Sequence, residues 1–315
     1  HHAEGCFVEC VLSFKIMDEK GVILNCSREE NSDKFWATIG GMGLTGIILS
    51  AKIKLKNIES AYIRQESIKA ENLNEIFRLF EESEDWTYTV AWIDCLQKGK
   101  NIGRSILMRG EHALKVELPF KLADKPLRLK KKFNPTVPFY FPKFVLNKFT
   151  VKAFNFLYFN KQRPKVVKNI IDYETFFYPL DAINDWNRIY GKSGFIQYQM
   201  VIPKEKGEEG MRRILETIAN SGQGSFLAVL KLFGKNNPLA YNSFPFEGYT
   251  LALDFKLNRE LVQLVNNLDK IVEEFGGRIY LTKDSMSKSS LTNYLKNVES
   301  SKFTSLQSKR IARGA

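Results

Sequence analysis

The chain has 315 residues, of which 44% are hydrophobic, and a formal net charge of +12 at pH 7. This length supports one large domain or two modest ones with ample core. No apolar run is long enough to span a membrane, and no signal peptide is visible. The excess of positive charge predicts an anionic partner, which could be a phosphate group, a membrane surface or a nucleic acid.

Cysteine and histidine are too sparse for the common metal and nucleophile sites. Cys6, Cys10, Cys26 and Cys95 have no metal-binding or redox spacing, so we interpret them as small buried hydrophobic residues in a reducing compartment. Cys6 and Cys10 are expected on one face of a strand. A Ser-His-Asp triad would depend on His112, which lies in a basic stretch, and we discount it. No metal site is expected.

The first third of the chain predicts short strands and helices in alternation. Residues 6–16 and 21–25 are typical of two strands that form a hairpin and turn at 18–21. A short helix capped by Asn31 or Ser32 is expected to stop at 40–41. Apolar periodicity predicts further strands at 47–56, 60–68, 87–94 and 102–109, and a helix at 72–82.

Three glycines lie between the first predicted helix and the strand that follows it. Gly41, Gly43 and Gly46 have the G-x-G-x-x-G spacing of dinucleotide sites, but that fingerprint needs a strand before it and a helix after it. Here the flanking elements are reversed. The stretch is either a hinge that lets backbone approach a flat ligand or an ordinary helix-to-strand loop.

Residues 121–168 form a stretch in which basic and aromatic side chains alternate. It holds thirteen Lys or Arg, ten Phe or Tyr and a single acid, Asp124. Such a composition suits an anionic membrane interface, where rings enter the headgroup boundary and cations meet phosphates. It also suits single-stranded nucleic acid, where bases stack on rings. The third interpretation is a surface loop with a solvated basic face.

Two strand–helix–strand units follow from residue 194 and predict an α+β layer. Two such units give an antiparallel or mixed sheet with helices on one face. The first unit comprises 194–202, 208–220 and 225–233, and the second comprises 249–255, 259–275 and 278–283.

Strand alternation places polar side chains on the opposite face of this sheet. Their presence indicates either solvent contact or a floor of hydrogen-bonding groups for a sugar, with a lysine for phosphate. The residues expected on shared faces are Gln197 with Gln199, Lys231 with Leu227, Val229 and Phe233, and Thr250 with Ala252 and Asp254.

Four longer motifs occur together and in order. They are Phe35-Trp-Ala-Thr-Ile-Gly-Gly-Met-Gly-Leu-Thr-Gly-Ile-Ile48, Phe195-Ile-Gln-Tyr-Gln-Met-Val-Ile-Pro203, Ser225-Phe-Leu-Ala-Val-Leu-Lys-Leu-Phe-Gly234 and Phe275-Gly-Gly-Arg-Ile-Tyr-Leu-Thr-Lys-Asp284. The set resembles the decaprenylphosphoryl-β-D-ribose 2-oxidase family, which are FAD-linked oxidases of the vanillyl-alcohol-oxidase type. The stretches 177–181 and 185–187 also fit, and the resemblance covers nearly the whole chain.

The resemblance implies an α+β fold with a discontinuous FAD-binding domain and an inserted substrate domain, whose antiparallel sheet is backed by helices. Residues 1–58 and 276–315 would belong to the FAD-binding domain, and residues 59–275 to the substrate-binding domain. The family's segment that wraps the FAD pyrophosphate would precede His1 and is not in this sequence. We therefore expect the chain alone to be purified without flavin.

The resemblance also implies roles for individual residues. Gly41, Gly43 and Gly46 would lie on the flavin side, Ile48 and Tyr280 would contact FAD, and Lys283 would be catalytic beside the flavin ring. The substrate pocket would be lined by Gln197, Gln199, Leu227, Val229, Lys231 and Phe233. Thr250, Ala252 and Phe177 complete this pocket, at positions where well-known members carry Asn, Cys and Tyr.

The family oxidises the C2 hydroxyl of a polyprenyl-phosphate-linked ribose, the first half of an epimerisation to arabinose. The implied partners are this lipid substrate, a short-chain reductase and an anionic membrane surface contacted by residues 121–168. The implied location is cytoplasmic and peripheral at the inner membrane, with no nucleic acid expected. The alternatives are a related sugar or aldonolactone oxidase, a non-catalytic glycolipid-binding protein and a nucleic-acid-binding protein.

Overall fold

The computed structural model describes residues 1–130, 132–283, 286 and 302–309. Its strands are β1 Val11–Met17, β2 Ile23–Ser27, β3 Ile47–Ile53, β4 Tyr62–Ala70, β5 Tyr88–Ile93, β6 Ser105–His112, β7 Val166–Asp172, β8 Phe195–Pro203, β9 Ala228–Phe233, β10 Gly248–Lys256 and β11 Arg278–Ile279. Its α-helices are α1 Ser32–Thr38, α2 Leu73–Glu81, α3 Phe120–Ala123, α4 Lys148–Lys161, α5 Tyr173–Phe177, α6 Gly207–Ser221 and α7 Leu261–Glu274.

These strands form two sheets. The smaller sheet has the order β2-β1-β3, and the larger has the order β11-β8-β10-β9-β5-β6-β4-β7. Neighbouring strands are antiparallel in both sheets. This confirms the expected mixed fold with antiparallel sheets. The chain changes sheets between β3 and β4, close to the predicted boundary at residue 58, whereas β11 pairs with β8 of the larger sheet. The discontinuous domain itself stays a prediction.

Helices α2, α6 and α7 cover one face of the larger sheet. Side chains that alternate toward this face, such as Tyr198, Met200 and Leu251, are fully buried and share one core cluster with residues of the three helices. The Tyr198 hydroxyl donates a hydrogen bond of 2.7 Å to Asp269 on α7. Burial of these apolar faces supplies the main favourable free energy that holds the layer together.

The opposite face of the larger sheet, here called the open face, carries the polar side chains that strand alternation predicts. Gln199 lies opposite Ala252, and Lys231 lies opposite Thr250. Helix α4 packs on this open face farther along the sheet, because Phe159 clusters with Trp92. Among the described residues, no helix combines the length and the apolar character needed to cross a bilayer.

Three local predictions were wrong. Residues 7–10 form a 3-10 turn, in which the Glu9 amide donates to the Cys6 carbonyl, so Cys6 and Cys10 do not lie on one face of a strand. Strand β3 ends at Ile53 rather than at residue 56. The last strand ends at Ile279, because the chain turns at once and the Lys283 amide donates to the Tyr280 carbonyl at 3.0 Å.

Candidate active site

A cavity of about 550 Å³ lies between the smaller sheet and the open face of the larger one. Residues of β1 and β3, the end of α1, strands β8 and β9, and the segment 234–245 form its walls. The lining is mainly apolar and aromatic and includes Phe14, Ile48, Phe233, Phe244 and Tyr280. Concave apolar pockets with a few polar groups are the usual form of small-molecule sites.

One wall of the cavity is a flat aromatic surface. The rings of Phe244 and Tyr280 are stacked, with centroids 4.6 Å apart and planes 17° from parallel. Phe233 contacts Phe244 edge-on, with centroids 6.0 Å apart. Tyr280 is held in place because its amide donates to the Gln199 carbonyl at 2.8 Å. The turn that ends the last strand thus presents a ring to the cavity.

Two of the three predicted cofactor-side glycines lie close against backbone of their own chain. A Cβ on Gly41 would lie 2.5 Å from the Ala37 carbonyl oxygen, and one on Gly46 would lie 2.6 Å from the Met17 carbonyl oxygen. Gly43 and Gly46 also have positive φ angles of 76° and 152°. The turn between α1 and β3 therefore needs glycine for its own backbone. The assignment of these residues to a cofactor stays a prediction.

The glycine turn contributes to the cavity through its neighbours. Gly40 and Met42 line the cavity, as does Ile48 from the following strand. A Cβ on Gly40 would lie 2.2 Å from the carbonyl oxygen of Asn242. This close approach holds the turn after α1 against the segment 234–245, which also lines the cavity.

Three charged side chains from separate elements come together at the open face. Burial lowers the pKa of Lys231 on β9, and the positive charge of Lys283 lowers it further. Burial raises the pKa of Asp254 on β10 to about 6, although a hydrogen bond from Gln197 and the charge of Lys283 favour its ionised form. Lys283 is therefore within electrostatic reach of both Lys231 and Asp254.

The amides of the open face are ordered by hydrogen bonds across the strands. The Gln199 side chain donates to the Thr250 hydroxyl at 3.0 Å, and this hydroxyl donates to the Met200 carbonyl at 2.8 Å. Ala252 lies beside Gln199 and Val229 in the register. Its side chain is small and projects little from the open face. Gln199 also lines the cavity, so its amide connects the open face with the cavity.

The remaining predicted site residues occupy different places. Ile48, Tyr280, Gln199 and Phe233 line the cavity. Leu227 precedes β9 and donates its amide to the Ser225 hydroxyl. Phe177 on α5 contacts the Tyr88 ring edge-on, with centroids 4.9 Å apart. The binding roles of all the predicted site residues stay predictions. Besides those just named, they are Gln197, Val229, Lys231, Thr250, Ala252 and Lys283.

Two contributors to the site were missed from the sequence. The segment 234–245 supplies Asn236 and Phe244 to the cavity, and the Cys6 thiol contacts the Asn236 side chain at 2.9 Å. Its Asn, Pro and Ser content is typical of a loop, and long loops between neighbouring strands are often functional. Asp254 was placed on the correct face but not chosen, because alternation does not indicate how deeply a carboxyl is buried.

Comparison with known proteins gives a clear sequence relative. The chain is 39% identical over 291 residues to the decaprenylphosphoryl-beta-D-ribose oxidase of Mycolicibacterium smegmatis, an alignment that covers 90% of this chain and 62% of that protein. The resemblance indicated by the four motifs is thereby confirmed. No protein-family model matches the chain.

Two solved structures share the fold. The xylooligosaccharide oxidase from Myceliophthora thermophila C1 in complex with xylobiose superposes with a TM-score of 0.54 at 13% identity, over 97% of this chain and 63% of that one. Physcomitrella patens BBE-like 1 superposes with a TM-score of 0.53 at 12% identity, over 92% and 60%. The chain spans about three fifths of the length of all three proteins.

Proposed function

We propose that this chain supplies the substrate-binding part of an FAD-dependent oxidoreductase. Its reaction would be oxidation of the C2 hydroxyl of a polyprenyl-phosphate-linked ribose to the 2-keto sugar, the first half of an epimerisation to arabinose. The observation that carries the proposal is the alignment of nine tenths of the chain with an oxidase of a decaprenylphosphoryl ribose. The cavity and the charged residues beside it support the same reaction.

The cavity fits the ring system of a flavin. Its stacked Phe244 and Tyr280 rings offer a flat apolar wall, and Ile48 lines the same space from β3. When bound, a flavin would accept a hydride, which no protein side chain can do. Ile48 and Tyr280 would hold its ring, while the turn at 41–46 would support this wall from behind.

The open face would hold the sugar phosphate. Amides both donate and accept hydrogen bonds, so Gln197 and Gln199 suit the hydroxyls of a sugar. Lys231 is a partly buried cation whose pKa is lowered by burial. It forms no ion pair with the residues that the structure describes, and a phosphate would supply an opposite charge. Lys283 would face the C2 oxygen and stabilise the negative charge that develops as the hydroxyl proton leaves.

The domain division and the cellular setting extend the proposal. Residues 1–58 and 276–315 would belong to the FAD-binding domain and residues 59–275 to the substrate domain; part of 276–315 lies outside the described residues. The 2-keto product would pass to a short-chain reductase that completes the epimerisation. A lipid-linked substrate would place the protein peripherally at the cytoplasmic side of the inner membrane.

Replacement of Lys283 tests the proposed role of its charge. In the protein expressed from its complete reading frame, Lys283→Ala should lower the turnover number by roughly 10²- to 10³-fold, the usual cost of removing a group that stabilises a developing oxyanion. Flavin content should not change. Lys270→Ala, on the exposed side of α7, is the matched control. Turnover of Lys283→Ala within a factor of about two of the wild type would refute the role.

A further inference from the structure

We propose that an exposed aromatic face on α4 and the preceding loop is a docking surface for an anionic lipid bilayer. Helix α4 has two unlike sides. Val151, Asn155 and Phe159 recur every four residues and are buried against the sheet. On the outer side, Phe149, Phe156 and Leu157 are 79%, 57% and 67% exposed. We call these three residues the aromatic face.

The loop before the helix carries further exposed rings. Phe133, Phe139 and Phe144 are also largely exposed, Phe133 to 91%. Single exposed apolar residues are ordinary, but adjoining groups of large rings on one surface mark a binding site. Rings of this size prefer the boundary between lipid headgroups and acyl chains.

Polar contacts fix the helix that carries the aromatic face to the rest of the protein. The Asn155 side chain donates to the Asp94 carboxylate at 2.7 Å, and Arg104 pairs with the same carboxylate at 2.8 Å. The Lys256 ammonium donates to the Leu146 carbonyl at 3.3 Å, which ties the loop to the end of β10. The outward position of the rings is therefore fixed by buried polar contacts on the other side of the helix.

The charge around the aromatic face selects a negatively charged surface. Lys143, Lys148 and Lys152 are exposed and, within the described part of the chain, have no carboxylate within 4.0 Å. By contrast, Lys165 and Lys168 are paired with Glu75 and Glu66. Each unpaired lysine near an anionic membrane adds attraction to the lipid phosphates. Rings and unpaired cations side by side match a bilayer that contains anionic lipid.

Helix α4 also packs directly on strands of the open face. Tyr158 packs against the Trp92 ring, with centroids 4.6 Å apart, and Trp92 lies opposite Val229 in the strand register. Helix α4 thus lies beside β5, which pairs with β9, one of the strands that would hold the sugar. Docking itself does not depend on the proposed oxidation, because it needs neither flavin nor turnover.

Vesicle co-sedimentation at low ionic strength tests the proposal. The wild-type protein should bind vesicles of phosphatidylcholine mixed with phosphatidylglycerol and bind pure phosphatidylcholine weakly. Replacement of the aromatic face by Phe149→Ser, Phe156→Ser and Leu157→Ser should lower the partition coefficient at least tenfold. This is roughly the effect of losing three apolar side chains that would insert into the bilayer. Lys148→Glu with Lys152→Glu should lower it by a similar factor.

The matched control lies on the opposite layer of the molecule. Val262→Ser and Lys270→Glu change exposed residues of α7 and should leave vesicle binding unchanged, and thermal unfolding should show that all variants fold. Wild-type protein that does not bind anionic vesicles, or face variants that bind as the wild type does, would overturn the proposal. So would tighter binding of a single-stranded oligonucleotide that the same variants abolish. Because no step requires turnover, failure here leaves the oxidase proposal to its own test.

Discussion

Asp254 is a carboxyl group kept in an unusual state by its surroundings. It is only 5% exposed, and burial raises its pKa to about 6. The Gln197 hydrogen bond and the Lys283 charge oppose this rise, so occupancy of the neighbouring space by a ligand would change its ionisation. Carboxyl groups with shifted pKa values near a cavity are frequent participants in binding or catalysis.

The raised pKa of Asp254 predicts a specific pH dependence of stability. The folded state binds more protons than the unfolded chain between the ordinary pKa of 3.8 and about 6, so the free energy of unfolding falls as pH rises through this window. Asp254→Asn removes this fall. The stability of the variant relative to the wild type should therefore increase by about 2 kcal/mol between about pH 4 and pH 7.

Denaturant titrations across that pH range check the prediction, with Asp124→Asn at an exposed carboxyl as control. A constant difference between wild type and Asp254→Asn would contradict the assigned ionisation. At this scale the sequence predicted which side chains share a face, because alternation is a property of every strand. It did not predict the burial of Asp254, which depends on distant elements.

At the scale of elements, Asp94 links α4 to the larger sheet. Its carboxylate is fully buried and is shared by Arg104 and Asn155. Removal of one partner of a buried ion pair leaves the other charge uncompensated. The Asp94 carboxylate thus stabilises both the connection between β5 and β6 and the position of α4, which carries the aromatic face.

Asp94→Ala should lower the free energy of unfolding by about 3–5 kcal/mol, the usual effect of breaking a buried pair. Asn155→Ala removes only the neutral hydrogen bond to this carboxylate and should cost about 1–3 kcal/mol. Equilibrium denaturation measures both, and Asp85→Ala at an exposed site is the control. Equal stabilities for wild type and Asp94→Ala would show that α4 is held in another way.

The sequence predicted the long elements better than the short ones. Helices α6 and α7 repeat apolar residues over three or more turns and end at glycine, so their signals accumulate. The turn at 7–10 and the turn after Ile279 involve only a few residues, and their hydrogen bonds decide the outcome. Helix α4 was not predicted within the basic aromatic stretch. Its outer side carries large apolar residues, so the sequence lacks the alternation of apolar and polar faces that indicates a helix.

At the scale of the molecule, the cavity arises only when the two sheets meet. Gly40 touches Asn242, about two hundred positions later in the chain, and Ile48 faces the same space as Tyr280. No local pattern predicts such contacts, so the sequence indicated individual wall residues but not the segment 234–245. The resemblance of four motifs placed these residues near one another because it carries the contacts of a known fold.

The central claim is that these walls belong to an FAD-dependent sugar oxidase, and one spectrum tests it most directly. The protein expressed from its complete reading frame is examined by visible absorption under anaerobic conditions, before and after addition of a polyprenyl-phosphoribose analogue. Our account predicts an oxidised flavin spectrum that bleaches when the analogue is added. A protein without flavin, or a bound flavin that stays oxidised with the analogue present, would contradict it.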